Sequence, residues 1–263
     1  MKLPLYQLDA FTNTVFGGNP AAVVPLETWL SDELMQSIAL ENNLSETAFY
    51  VPTEQGYHIR WFTPTTEVDL CGHATLATAY VIFFILNRPE NEISFESRSG
   101  ILRVTRSDGQ WLTLSFPVDH YHKMVAPPAL TDSLRPIKDF EVYKGKSDYM
   151  VVLDNEAQVR EIKPDILFLS TIPARGIILT APGDEVDFVS RFFAPQSGID
   201  EDPVTGSAHT TLIPYWAERL GKNTLTARQV SARGGYLRCE LADDRTLISG
   251  QAKLYLTGEI TID

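Results

Sequence analysis

RWFTPTTEVDLCGHATLATA (residues 60–79) decides the fold, because RFFAPQSGIDEDPVTGSAHT (residues 191–210) repeats its pattern. Each stretch begins with an arginine, two aromatic residues and a nearby proline. Each then runs through acidic residues to a glycine that opens a predicted helix. Arg191 lies 131 positions after Arg60, and the two glycines are 134 positions apart. Two matches in the same order, at offsets that differ by only three residues, indicate a duplication of one structural unit.

The helices predicted after these glycines form the centres of the two halves. Residues 73–86, HATLATAYVIFFIL, are apolar on every side, which is typical of a fully buried helix. A buried strand is the alternative for residues 80–86, since Val, Ile and Phe also favour strands. The second helix is predicted over residues 206–220, with Gly221 as its stop and a kink at Pro214.

The repeat predicts an α/β (α+β) fold of two pseudo-symmetric halves, each a curled mixed sheet wrapped around a central buried helix. A length of 263 residues is compatible with two domains, at one domain per roughly 150 residues. The first half is predicted over residues 1–117, completed by a C-terminal strand at about 251–263, and the second half over residues 118–250. Residues 117–136 are polar and rich in proline, and we expect them to cross from one half to the other.

Composition excludes several classes of function. The net charge is −12, from 22 basic and 34 acidic residues, and no basic block occurs, so a nucleic-acid partner is not expected. The longest apolar stretch, residues 79–86, is too short to span a bilayer, and the N-terminus does not resemble a signal peptide. Two cysteines cannot form a disulfide framework. We therefore expect a cytoplasmic protein that has no membrane segment.

The two helix starts are candidate binding sites for an anion. The first amides of a helix have no internal partner, and the helix dipole adds positive charge there. If both starts face the cleft between the halves, they can hold a substrate carboxylate despite the net charge of −12. Cys71 and His73 flank one start, and Asp202 and Ser207 flank the other.

Glu46, in NNLSETAFYV, is a candidate general acid/base, because a carboxyl group on a buried strand can exchange protons near neutral pH. The alternative is a solvated glutamate on an edge strand. His73 and Asp202 are equally compatible with a role in helix or turn capping. The sequence has no G-x-S-x-G elbow and no Gly-rich nucleotide cradle, and His120 and His122 lack accompanying ligands. No cofactor and no metal are expected.

Four ordered motifs resemble the PhzF-like phenazine biosynthesis protein family, within the diaminopimelate epimerase fold superfamily. They are GGNPAAVV (17–24), IALENNLSETAFYV (38–51), the block at 60–79, and GIDEDPVTGSAHTTLIPYW (198–216). The resemblance implies two α/β halves around central helices with a site between them, cofactor-independent catalysis and a homodimer. It also implies that the catalytic acid/base falls on Glu46, and that the substrate-binding residues are Gly72, His73, Asp202, Gly206 and Ser207.

The cysteines differ from those of the wider superfamily. Diaminopimelate epimerases use two opposed cysteines, one in each half. Cys71 stands where one of them would be, but the second position falls at Pro203 or its neighbours, where there is no thiol, and Cys239 is far downstream. The resemblance therefore argues against a two-thiol racemase.

The resulting hypothesis is an isomerase that moves a proton between carbons of a small carboxylate-bearing substrate, with Glu46 as acid/base in the interdomain cleft. The best-known family reaction is the isomerisation of a dihydro-hydroxyanthranilate in phenazine synthesis, although the substrate of this chain need not be that compound. The alternatives are a non-catalytic metabolite-binding protein of the same fold and an amino-acid racemase or epimerase.

Overall fold

A computed structural model describes residues 1–262 as a mixed α/β protein. The strands are β1 (Lys2–Ala10), β2 (Asn19–Pro25), β3 (Glu46–Thr53), β4 (Gly56–Phe62), β5 (Glu67–Val68), β6 (Glu92–Ser97), β7 (Gly100–Ser107), β8 (Trp111–Pro117), β9 (His122–Met124), β10 (Glu141–Lys144), β11 (Asp148–Val152), β12 (Gly176–Pro182), β13 (Phe188–Ala194), β14 (Ile199–Asp202), β15 (Thr224–Gln229), β16 (Gly235–Ala242), β17 (Arg245–Gly250) and β18 (Ala252–Thr261). The α-helices are α1 (Asp32–Asn42), α2 (Gly72–Tyr80), α3 (Pro128–Ser133), α4 (Glu156–Glu161), α5 (Ile166–Ser170) and α6 (His209–Leu220).

The chain divides into two compact units. The first unit is Met1–Phe116 together with the C-terminal stretch from Leu247, and the second unit is Pro117–Thr246. The C-terminal stretch belongs to the first unit because β18 pairs antiparallel with β1 along its length. Residues 117–136, predicted as an interdomain crossing, contain β9 and α3 and belong to the second unit.

The first unit is a mixed sheet packed around α2. Its pairings run β18–β1–β2 antiparallel, β2–β3 parallel, β3–β4 antiparallel, β4–β6 parallel and β6–β7–β8 antiparallel. All nine residues of α2 are buried, and the helix contacts β1, β2, β3 and β18. A helix without a polar face can be stable only when it is surrounded in this way.

The second unit repeats this order of pairings. Strands β9–β10–β11 are antiparallel, β11–β12 parallel, β12–β13 antiparallel, β13–β15 parallel and β15–β16 antiparallel. Helix α6 packs on β15 and β16. The predicted fold class of two similar halves, each with a mixed sheet and a buried helix, is confirmed.

The repeat seen in the sequence has the same contacts in both units. Arg60 donates to both carboxylate oxygens of Glu67 at 2.7 and 2.8 Å, and its guanidinium lies 5.2 Å from the Phe62 ring centroid. In the second unit an arginine bonds both oxygens of a glutamate at the same two distances and lies 4.8 Å from a phenylalanine ring centroid. These second-unit residues are Arg191, Glu201 and Phe193. The duplicated motif is therefore a cation held between a carboxylate and an aromatic ring.

Both central helices form where the sequence predicts them, with local differences. Helix α2 continues as a π-helical turn over Val81–Ile85, so the strand alternative for residues 80–86 is wrong. The second helix begins with a 3₁₀ turn over Gly206–Ala208, and Gly221 ends it with φ +66°. Within residues 1–262, no helix combines the length and the apolar character needed to cross a bilayer.

Candidate active site

Glu46 and His73 meet in the first unit. Glu46 is the first residue of β3, and His73 is the second residue of α2. Glu46 Oε2 lies 3.1 Å from His73 Nε2, and only 13% and 7% of the two side chains are exposed. Neither atom has a well-aligned hydrogen bond to any residue in 1–262, so the two atoms are close neighbours without a directed hydrogen bond. Gly72 is buried beside His73 at the helix start.

The other side of the His73 ring faces Asn19 and Cys71. Asn19 Nδ2 lies 3.3 Å from His73 Nδ1, and Cys71 Sγ lies 3.5 Å from the same nitrogen. The Ser45 hydroxyl donates to Asn19 Oδ1 at 3.1 Å. Both ring nitrogens therefore have polar neighbours. Asn19 lies within GGNPAAVV, and the sequence pattern there does not predict its contact with His73.

The electrostatics of this cluster favour a protonated, positively charged His73. Burial alone would lower the pKa of His73, but the adjacent Cys71 and Glu46 raise it well above 6.5. Burial, together with the charge of Glu46, raises the pKa of the Cys71 thiol to about 11. That thiol is therefore protonated at pH 7, and the Glu46 carboxyl group, 3.1 Å from Nε2, is the acidic group that faces the His73 imidazolium.

Glu46, Cys71 and His73 could also hold a metal ion. One ligand atom from each residue lies within 4.8 Å of the others. Three protein ligands are the number found in an open zinc site. An ion would have to displace the protons of the Cys71 thiol and of the His73 imidazolium, both of which are strongly held. No metal is expected from the sequence, because the spacing of these three residues does not indicate that they lie together.

Asp202, Gly206 and Ser207 lie together in the second unit. Asp202 ends β14, and its Oδ2 accepts a hydrogen bond from Thr205 Oγ1. The main-chain oxygen of Asp202 accepts one from Gln229 Nε2 at 2.8 Å. Gly206 opens the 3₁₀ turn that leads into α6, and Ser207 follows it. The predicted residues thus form two groups, one at each helix start.

Arg175, which sequence analysis did not single out, contacts Ser207. Its Nη1 donates to Ser207 Oγ at 2.7 Å. Its Nε donates to Asp148 Oδ1 at 2.9 Å, and its Nη2 to Asp148 Oδ2. The guanidinium also lies 5.4 Å from the Phe192 ring centroid. The available sequence signal was an arginine directly before the apolar run at 176–180.

The strand register identifies the counterpart of Glu46 in the second unit. Thr47 pairs with Phe62 in the first unit, and Ile177 pairs with Phe193 in the second. Because Phe62 and Phe193 are matched residues of the repeat, the residue before Thr47 corresponds to the residue before Ile177. The position of Glu46 is therefore occupied by Gly176 in the second unit.

A side chain could not easily be accommodated at Gly176. A Cβ there would lie 2.1 Å from Phe192 Cζ, so the ring beneath Arg175 would have to move. The cysteine position differs as well, since Thr205 precedes Gly206 just as Cys71 precedes Gly72. At the positions matched to Glu46 and Cys71, the second unit therefore carries neither a carboxylate nor a thiol.

We expect two buried histidines to titrate in opposite directions. The His73 midpoint should lie well above 6.5, and that of His209, whose pKa burial lowers, should lie at about 4. Removing the nearby anion with Glu46→Gln should lower the His73 midpoint, because burial then dominates. Ring ¹⁵N chemical shifts recorded against pH measure both midpoints.

His209 is the internal control, since Glu46→Gln should leave its midpoint unchanged. The free energy of unfolding should also depend on pH through these two histidines, in opposite directions. The His73 contribution is complete below pH 6.5 and is lost as pH rises through its folded-state pKa. The His209 contribution is present above pH 6.5 and is lost as pH falls towards 4. A His73 midpoint at or below 6.5 would contradict a positively charged His73.

Comparison with known proteins gives consistent matches over the whole chain. The family model PhzC-PhzF, described as phenazine biosynthesis-like protein, matches residues 8–258. A Pseudomonas aeruginosa protein named an uncharacterized isomerase is 50% identical over 262 residues, which cover 100% of both chains. The crystal structure of a PhzF-family phenazine biosynthesis protein from Enterococcus faecalis has 49% identity and a TM-score of 0.96, with 100% of both chains covered.

A more distant match extends the fold comparison. The structure of a predicted epimerase from Pseudomonas aeruginosa has 20% identity and a TM-score of 0.73, covering 99% of this chain and 100% of the other. At that identity the likeness shows the fold alone. The predicted α/β fold class and the resemblance to the PhzF-like family drawn from the four motifs are both confirmed.

Proposed function

The chain belongs to the PhzC-PhzF family of phenazine biosynthesis-like proteins, and from that membership we propose that it is an isomerase. Its reaction moves a proton between two carbons of a small carboxylate-bearing substrate. The observation that carries the proposal is the nearly buried Glu46–His73 pair, with 3.1 Å between Oε2 and Nε2. The isomerase named from Pseudomonas aeruginosa, half identical in sequence, supports the reaction class.

Glu46 is the proposed acid/base. As a carboxylate it removes a proton from an sp³ carbon next to an unsaturated or electron-withdrawing group. The resulting carboxylic acid returns the proton to another carbon of the same conjugated framework. His73, with its raised pKa, places a positive charge 3.1 Å from the Glu46 carboxyl group and orients the polar substituents of the substrate. The roles proposed for the second unit are anchoring of the substrate carboxylate by Gly206 and Ser207, and orientation by Asp202.

One carboxyl group is enough for this reaction, because a suprafacial shift removes and returns the proton on one face. A racemase or epimerase requires a second base that acts on the opposite face. At the matched positions the second unit has Gly176 and Thr205, and neither can serve as such a base. This asymmetry favours a proton shift over racemisation.

The labelling experiment that tests this function separates an enzyme from a metabolite-binding protein. The protein is incubated in heavy water with small carboxylates that carry an allylic C–H group, beginning with a dihydro-hydroxyanthranilate. We expect mass spectrometry to detect one deuterium in the isomerised product, or partial labelling where Glu46 returns the proton that it removed. Binding of these compounds without labelling or isomerisation would favour the non-catalytic alternative.

A further inference from the structure

The Ser207 hydroxyl has a fixed direction of hydrogen bonding. Arg175 Nη1 lies 2.7 Å from Ser207 Oγ. A guanidinium has only donors, so the serine oxygen must be the acceptor in this contact. The hydroxyl hydrogen then remains available, and within residues 1–262 no acceptor for it is seen. Ser207 can therefore offer a donor to a ligand.

Arg175 is itself held on two further sides. Asp148 is 2% exposed and binds the guanidinium through both of its oxygens. The Phe192 ring lies against the guanidinium face at 5.4 Å, and this ring occupies the space that a side chain at position 176 would need. A planar cation fixed at its edge and its face can present Nη1 in only one direction.

The net charge of the cluster formed by Arg175, Asp148 and Ser207 does not by itself favour the binding of an anion. Asp148 neutralises Arg175, and the carboxylates of Asp119 and Asp202 also raise the pKa of Arg175 against the effect of its burial. A bare electrostatic attraction for an anionic ligand is therefore weak at this point. The contact with Arg175 instead orients the neutral hydroxyl group of Ser207 as a hydrogen-bond donor.

The position of this group within the repeat gives it a functional context. Arg175 precedes Gly176, the counterpart of Glu46, and Ser207 follows Gly206, the counterpart of Gly72. The contact between a strand start and a helix start is Glu46–His73 in the first unit and Arg175–Ser207 in the second. The equivalent region of each unit therefore holds a different pair. It is the proposed proton-transfer pair in the first unit and a pair of hydrogen-bond donors in the second.

We propose that Arg175 is a positioning residue that makes Ser207 a dedicated donor to an anionic oxygen of the ligand, so that this subsite selects carboxylates over isosteric neutral groups. The inference rests on the proposed function, since it specifies how that function's substrate carboxylate is recognised. Arg175 acts through Ser207, and Asp148 acts through Arg175.

The test uses benzoate and the neutral, nearly isosteric benzamide as probes, with dissociation constants taken from shifts of the Gly206 and Ser207 amide signals. We expect the wild-type protein to prefer benzoate by about tenfold, the factor by which a hydrogen bond to a charged acceptor exceeds one to the neutral carbonyl of benzamide. Ser207→Ala and Arg175→Gln should each abolish that preference. Arg175→Lys should retain part of it, since an ammonium can still donate to Ser207.

A double-mutant cycle distinguishes positioning from direct contact. Adding Arg175→Gln to Ser207→Ala should cause no further loss, because the arginine acts through the missing hydroxyl. Arg228→Gln is the matched control, since Arg228 is 43% exposed against 40% for Arg175 and pairs with Glu185 at 2.6 Å. This control should keep the full preference for benzoate.

Two results would overturn the inference. One is additive losses in the double variant, which would mean that Arg175 contacts the ligand directly or supports the fold alone. The other is equal binding of benzoate and benzamide, or no binding of either, by the wild-type protein. Benzoate undergoes no proton shift, so its binding does not depend on proton transfer by Glu46. Failure here and failure of the labelling experiment are therefore distinguishable.

Discussion

Glu46→Gln is expected to lower turnover by about 10²–10⁴-fold, the usual contribution of a positioned general acid/base. Glutamine has the shape of the glutamate side chain and can still form hydrogen bonds, but it cannot accept and return a proton. Binding of the substrate should change much less than turnover, because the proposed anchors of the carboxylate are in the second unit. Single-turnover rates with the substrate found by labelling, and deuterium incorporation from heavy water, measure the effect.

The matched control for this variant is Glu41→Gln, which neutralises an exposed glutamate five residues earlier in the chain. It should keep wild-type turnover. Glu46→Asp retains the carboxylate but shortens its reach, so an intermediate rate is expected. If Glu46→Gln kept wild-type rates of both turnover and deuterium incorporation, the acid/base role of Glu46 would be falsified.

The fold was predictable because its determinants are local and occur twice. An all-apolar run after a glycine can form only a buried element, and the match between residues 60–79 and 191–210 indicated two such elements. The structure gives the repeat a physical cause, because Arg60 and Arg191 each bind both oxygens of a glutamate above a phenylalanine ring. Residues that contact one another within a short stretch of the chain form a pattern that can be recognised in the sequence.

The contacts within the candidate site were less predictable, because they join residues far apart in sequence. Asn19 and His73 are 54 positions apart, and Arg175 and Ser207 are 32 positions apart. Neither Asn19 nor Arg175 lies in a stretch whose periodicity indicates chemistry. Their partners follow from strand register, which places Asn19 at the start of β2 and Arg175 directly before β12. Periodicity alone does not determine that register.

The duplication also shows how one scaffold supports unlike chemistry. The paired strand order is the same in both units, and the residues before Thr47 and Ile177 are equivalent in register. One is a glutamate and the other a glycine, and the replacement leaves space that the Phe192 ring fills. The pseudo-symmetry therefore constrains the backbone, while the side chains differ: a carboxyl group faces an imidazole in the first unit, and a guanidinium faces a hydroxyl group in the second.

Trp216→Ala is expected to lower the free energy of unfolding by about 3–5 kcal/mol, the range observed when a large buried aromatic side chain is truncated. Trp216 is fully buried on α6, and its ring stacks on Phe188 with 5.7 Å between centroids and 4° between planes. Its Nε1 donates to Thr180 Oγ1 at 3.0 Å. The alanine variant loses the burial, the stacking and this hydrogen bond at once, and it leaves a cavity.

Trp216→Phe is the matched control, because it keeps an aromatic ring against Phe188 and removes only the indole donor and part of the volume. We expect a loss of about 1–3 kcal/mol, since Thr180 Oγ1 still donates to the Val189 carbonyl at 2.7 Å. Urea unfolding followed by circular dichroism measures both variants. Helix α6 begins two residues after Ser207, so loosening it should also weaken benzoate binding in the alanine variant more than in the phenylalanine variant. Equal unfolding free energies for Trp216→Ala and the wild-type protein would show that α6 does not organise the core of the second unit.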